Sequence, residues 1–170
     1  FLYGDYTTVS NSLALGNNES GFALSGDYTT VSDSISLGNT MHGFVIGGDY
    51  ATVFNSTALE NGGHGFNLFG DYIAVFNSTA LVNHAEGCFI EGDHIIVSNS
   101  ISTNNSWYGF SLRGSNITVS GSISSGSYGF VLYPNNFVTH SFAFENTVGF
   151  WQYGNTIVSH SLAVSNFPQG

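Results

Sequence analysis

The chain has 170 residues, of which 42% are hydrophobic and 15% aromatic, so it carries enough apolar material to fold and is no disordered low-complexity tract despite its Ser, Asn and Gly content. Arg113 is its single basic residue, against eleven acids and a formal net charge of -10, which excludes nucleic acid and anionic membrane as partners because phosphate surfaces require several cationic contacts. No run of 18 apolar residues occurs, so no membrane span is expected.

In chain order, Phe1-Leu2-Tyr3 leads into the tripeptide GDY at Gly4, which recurs at Gly26, Gly48 and Gly70, with GDH at Gly92, at a constant spacing of 22 residues. A unit of that length cannot bury its own apolar face and has to stack on copies of itself. After each turn comes a valine: Val9, Val31, Val53, Val75, Val97, Val119, Val138 and Val158. Three residues later stands a serine, from Ser12 to Ser161, and two beyond that always Ala or Ser. Next is a polar column, Asn17, Asn39, Asn61, Asn83 and Asn105, then Ser127, Asn146 and Asn166. A Gly-Phe pair follows, giving Phe22, Phe44, Phe66, Phe110, Phe130 and Phe150, with Cys88 in the same column. Two residues on is an aliphatic, from Leu24 to Leu132, with Gln152 breaking the column.

Apolar residues two apart follow the strand period, and no 3.6-residue stripe exists, so no α-helix is expected. Short strands divided by Gly, Asn, Asp and Ser corners predict an all-β parallel β-helix, a β-solenoid over residues 1–170 with about eight coils of 20 to 22 residues, starting near 4, 26, 48, 70, 92, 114, 134 and 154. At about 4.8 Å per coil the rod would be roughly 38 Å tall. The Phe column is expected to stack inside it, and the Asn column to satisfy its amides coil to coil. Cys88, in the Phe column, reads as a small buried residue.

The spacing V..S.A..N...GF.L resembles the repeat of right-handed parallel β-helix proteins, a group that includes polysaccharide lyases, copper-site accessory proteins and archaeal and bacterial surface or sheath proteins. The resemblance covers nearly the whole chain and implies a right-handed coil with the Val, Ser, Ala, Asn, Phe and Leu positions facing inward. It is specific for fold and uninformative for activity, because unrelated functions share this scaffold.

If the small residue between Ser and Asn faces inward, Leu15, Leu37, Leu59 and Leu81 project outward as an apolar assembly face; the opposite parity would bury them. The chain starts at Phe1 and not Met, which suggests a mature or excised segment. Neither end shows a cap, and Gly170 falls where Phe1-Leu2-Tyr3 would continue the phase, so copies could stack head to tail; a cut through a longer array would leave the same match. Sequons at Asn18, Asn55, Asn77, Asn104 and Asn116 suit an extracellular, cell-envelope location.

Candidate chemistry is sparse. Asp5, Asp27, Asp49, Asp71 and Asp93 either accept turn hydrogen bonds or are bridged by Ca²⁺, the one cofactor considered. His42, His64 and Glu86 share a column and form a weak metal candidate, and His140 and His160 pair elsewhere. Tyr6, Tyr28, Tyr50 and Tyr72 form a ladder suited to sugar rings or to a neighbouring rod. A column of Thr8, Thr30 and Thr52 resembles an ice-binding face but ends at Ala74. No pair of carboxylates converges, Arg113 reads as isolated, and no unique Ser, His and Asp meet, so no enzyme is expected. The leading expectation is a non-enzymatic structural protein that self-assembles into a sheath, filament or surface layer, an amyloid-like homopolymer. The alternative is a carbohydrate-binding segment of a larger adhesin.

Overall fold

A computed structural model describes residues 1–126 and 128–165; Ser127, Asn166 and Gly170 of the expectations above lie outside the described residues. Each turn of chain supplies one strand to each of three parallel sheets, and each sheet holds eight strands. Phe22–Ser25, Thr30–Ser32 and Ile35–Leu37 form one such set, and Phe44–Gly47 then returns to the first sheet. No helix occurs among the described residues, and none is long and apolar enough to cross a membrane. The chain is a β-solenoid.

Register follows the sequence columns: Phe44 pairs with Phe66 and Phe66 with Cys88, while Val53 pairs with Val75 and Val75 with Val97. Identical side chains therefore superpose. The core consists of the valine column, the Phe column and the aliphatic column, joined by Ala51, Ile73, Ile95 and Ile117 just ahead of the second sheet. Phe44 and Phe66 stack at 5.1 Å between ring centroids, and Phe110 and Phe130 at 4.9 Å, with Cys88 filling the coil between the two runs. A fully buried Phe stabilises by about 1.5 to 3 kcal/mol.

The corners explain the polar columns. From Asn17 to Asn83 each Asn Nδ2 donates to the Oδ1 of the Asn one coil on, at 2.7 Å from Asn17 to Asn39 and 3.0 Å from Asn61 to Asn83. The same Oδ1 also accepts the backbone N–H of the preceding Asn, as Asn39 Oδ1 does from Asn17 at 2.9 Å. Buried amides are thus satisfied within the column. The carboxylates of the Asp column serve the turn: Asp5 Oδ1 accepts the Asp27 N–H at 2.9 Å, and Asp93 Oδ1 accepts that of Ser115 at 2.7 Å. The turn itself needs glycine, since Gly48 sits at φ +132° and Tyr50 follows at φ +59°.

On the third sheet Ala14, Ser36, Ala58 and Ala80 are buried, and the flanking leucines face outward. Leu15 is 60% exposed, whereas Leu37, Leu59 and Leu81 are half-buried by their neighbours along the ladder. The small inward column leaves room for the return strand: a Cβ on Gly43 would stand 2.9 Å from the Cβ of Ala58. All five sequon asparagines are exposed.

Candidate functional site

The tyrosine ladder stands at the corner between the first and second sheets. Tyr6, Tyr28, Tyr50 and Tyr72 stack at 4.8 Å with planes within 4°, and His94 extends the stack at 4.7 Å. Such close, nearly parallel stacking occupies the ring faces and leaves mainly edges to solvent.

A different arrangement occupies the outer face of the first sheet. Three columns project there. One runs Ser20, His42, His64, Glu86, Tyr108, Tyr128; the second Ala23, Val45, Asn67, Phe89, Ser111, Val131, Trp151; the third Ser25, Gly47, Phe69, Glu91, Arg113, with Tyr133 and Tyr153 continuing it. The first coils carry small residues. From the third coil onward the columns fill with aromatic and charged side chains, and the face becomes specific to its position along the rod.

The charged part lies in the middle. His64 Nδ1 and Glu86 Oε2 lie 2.6 Å apart, within ion-pair distance when His64 is protonated. The same nitrogen accepts the Glu86 N–H at 3.3 Å, so Nδ1 faces both a backbone donor and the carboxylate. His42 Nδ1 accepts the His64 N–H at 2.9 Å, which places the proton of neutral His42 on Nε2. The rings of His42 and His64 stack at 4.9 Å, and Phe89 covers His64 at 5.2 Å. Burial, then the neighbouring His64, hold His42 below the ordinary imidazole range against the pull of Glu86. For Glu86 burial pushes upward, but His64, the backbone amide and Arg113 together bring the carboxyl below its usual value.

Arg113 lies with its Cζ 4.7 Å above the Phe89 ring and 6.0 Å from that of Tyr133. The expectation that this arginine is isolated is therefore corrected: strand pairing brings together residues 24 apart in sequence. Beneath this layer Asn67, Phe89, Ser111 and Val131 are buried although they project from the outer face. Asn67 Oδ1 has no hydrogen-bond partner there.

Toward the last coils the rings open out. Tyr108 and Tyr128 meet edge to face at 5.4 Å, Tyr128 and Trp151 tilt by 46°, and Trp151 lies 6.1 Å from Tyr153. Ser106, Trp107, Tyr108, Tyr128 and Trp151 line an open hollow of about 310 Å³, the low end of the size range of small-molecule sites. Trp107 is 60% exposed and Trp151 40%, so ring surface is available. Burial and then the neighbouring Tyr153 and Glu86 push the Tyr108 hydroxyl up, which keeps it a neutral donor.

The fold has solved counterparts. The A-module of the Azotobacter vinelandii mannuronan C-5 epimerase AlgE6 superposes with a TM-score of 0.58 at 16% identity, over 92% of this chain and 57% of that module. The AlgE4 A-module of the same organism gives 0.53 at 14% identity with the same coverage. The chain therefore spans a little over half the length of these modules, and at such identity the likeness establishes the right-handed parallel β-helix fold alone. No family model matches the sequence, and no curated protein does.

These neighbours overturn two expectations. Both are enzyme modules named for a polysaccharide, which does not fit a non-enzymatic, self-assembling sheath protein, and the exclusion of catalysis falls with it. Both expectations took the carboxylates and serines as ladders repeating once per coil, in which no unique site converges. The convergent side chains are the departures from the repeat. His64, Glu86, Phe89 and Arg113 were visible as such, in the columns flanking the Gly-Phe pair. The structure brings His64 and Glu86 of the metal candidate into contact and stacks His42 on His64; no group of three or more His, Cys, Asp or Glu among the described residues is arranged to hold a metal ion.

Proposed function

We propose that this chain is a carbohydrate-binding β-solenoid that holds a glycan along the outer face of its first sheet, with the hollow between Trp107 and Trp151 as the main subsite. The observation that carries this reading is the change of that face from Ser20, Ala23 and Ser25 on the first coil to a convergent layer of aromatic rings beside His64 and the buried Glu86. Sugars offer C–H faces that rest on aromatic rings and hydroxyls that bond to Ser, Tyr and Trp donors. The tyrosine ladder supports the reading less well, because its rings cover one another. That the solved neighbours are mannuronan epimerase modules is in keeping with a polysaccharide partner, and the exposed sequons fit a place on the cell exterior.

Affinity electrophoresis of the purified chain through gels containing soluble polysaccharides tests this. Retardation by at least one glycan is expected, with Trp107→Ala and Trp151→Ala each weakening it about tenfold. Retardation lost instead in the Tyr28→Ala, Tyr50→Ala double variant would return the site to the ladder. Free migration in every gel would end the proposal.

One observation favours chemical turnover of the bound glycan as a second reading. Glu86 precedes Tyr108 by one coil in the same column, beside His64 and within the field of Arg113, which sets a carboxylate and a phenol next to each other on this face. Nuclear magnetic resonance of a retained glycan after long incubation would reveal new end groups or inverted centres. An unchanged spectrum would limit the function to binding.

A further inference from the structure

We infer that the glycan held in this hollow is uncharged, so that its recognition differs in chemistry from that of a polyuronate. The inference rests on the carbohydrate-binding reading and adds the ligand class. Its basis is the charge inventory of the face. Glu86 is buried, with the His64 imidazole 2.6 Å from its carboxylate. Arg113 is the sole permanent cation of the chain; it already lies flat on Phe89, within the field of Glu86, and its partner across the strand pair is Glu91. Arg113 is thus set against both Glu86 and Glu91 on this face, and the remainder of a chain of formal charge -10 surrounds it with negative potential.

A polymer with a carboxylate on each sugar would bring a row of anions to a surface with one cation to offer. Polyanion recognition depends on repeated cationic contacts and weakens steeply as salt rises. What the hollow does offer suits neutral sugars. Trp107 and Trp151 present indole rings, Tyr108 and Tyr128 add aromatic wall, and Ser106 adds a small polar group. Stacking against neutral pyranose faces is insensitive to ionic strength, which separates the two ligand classes experimentally.

The experiment compares affinity electrophoresis of the full chain in gels of neutral polysaccharides (a β-glucan, a xylan and a galactomannan) with gels of polymannuronate and polygalacturonate. Each is run at about 50 and 200 mM salt. The expected result is retardation by at least one neutral polymer, unchanged between the two salt levels and weakened about tenfold by Trp107→Ala, with no retardation by either polyuronate. Stronger retardation by a polyuronate, relieved by salt and by Arg113→Gln, would overturn the inference while leaving a glycan-binding protein in place. Absence of retardation by both classes would overturn the inference together with the reading beneath it.

Discussion

His64 and Glu86 occupy the same position on successive coils, with Nδ1 and Oε2 2.6 Å apart and Glu86 only 3% exposed. The carboxyl is held below its ordinary value of 4.5, so its contribution to stability is present above that pH and is lost as acid takes the pH through the folded value. His42, held below 6.5, acts in the same sense, because under mild acid the unfolded chain binds its proton more readily than the folded one. The melting temperature should therefore fall on acidification, beginning below about pH 6.5 and continuing through the carboxylate range. Glu86→Gln should cost about 1 to 3 kcal/mol at neutral pH and flatten the lower part of that decline. A variant whose melting profile runs parallel to the parent throughout would remove the pair from the account.

Phe66 is fully buried between Phe44 and Cys88, and its ring stacks on Phe44. Phe66→Ala should lower the unfolding free energy by about 3 to 5 kcal/mol, because the stacked coils above and below cannot collapse into the gap. Leu15→Asp, at an outward position 60% exposed, should change it by less than about 1 kcal/mol. Urea titrations of the two variants make the comparison, and equal losses would contradict the observed parity of the third sheet.

Asn61 accepts from Asn39 through both side chain and backbone and donates to Asn83 and to the Ser36 carbonyl. Asn61→Ala would strand the buried Asn39 N–H and remove an acceptor of the Asn39 amide and a donor to the Ser36 carbonyl, at a cost of about 2 to 5 kcal/mol. Asn18→Ala, at an exposed site next to the column, should be neutral within about 0.5 kcal/mol. Thermal denaturation distinguishes them.

Cys88 is buried in the phenylalanine column, and burial pushes its thiol up to about 12. The native protein should resist aromatic disulfide reagents and release one equivalent of thiol only on denaturation. Prompt reaction of the folded chain would mean that the interior opens at this coil.

The fold was legible because its information is periodic. The 22-residue spacing fixes the stacking partner of every residue, so Val53 over Val75 and Asn61 beside Asn83 follow from counting alone. The site was illegible for the same reason. Arg113 meets Phe89 because one coil of displacement is combined with a two-residue step along the strand, and ring packing on the outer face decides the contact. Column arithmetic placed His64 and Glu86 one coil apart without showing whether their side chains meet. It also treated the tyrosine ladder as a platform, when the regularity that makes the ladder recognisable is what closes its ring faces.

The asparagine column has a direction. From Asn17 through Asn39 and Asn61 to Asn83, every side-chain amide sends one N–H to the Oδ1 of the Asn on the next coil, the run ending at Asn105. The individual dipoles add, and each bond polarises the next. The interior of this rod therefore holds an oriented electrical spine, in which a residue midway along is reinforced from two sides and a terminal one from a single side, so chemically identical asparagines hold the molecule together with unequal strength.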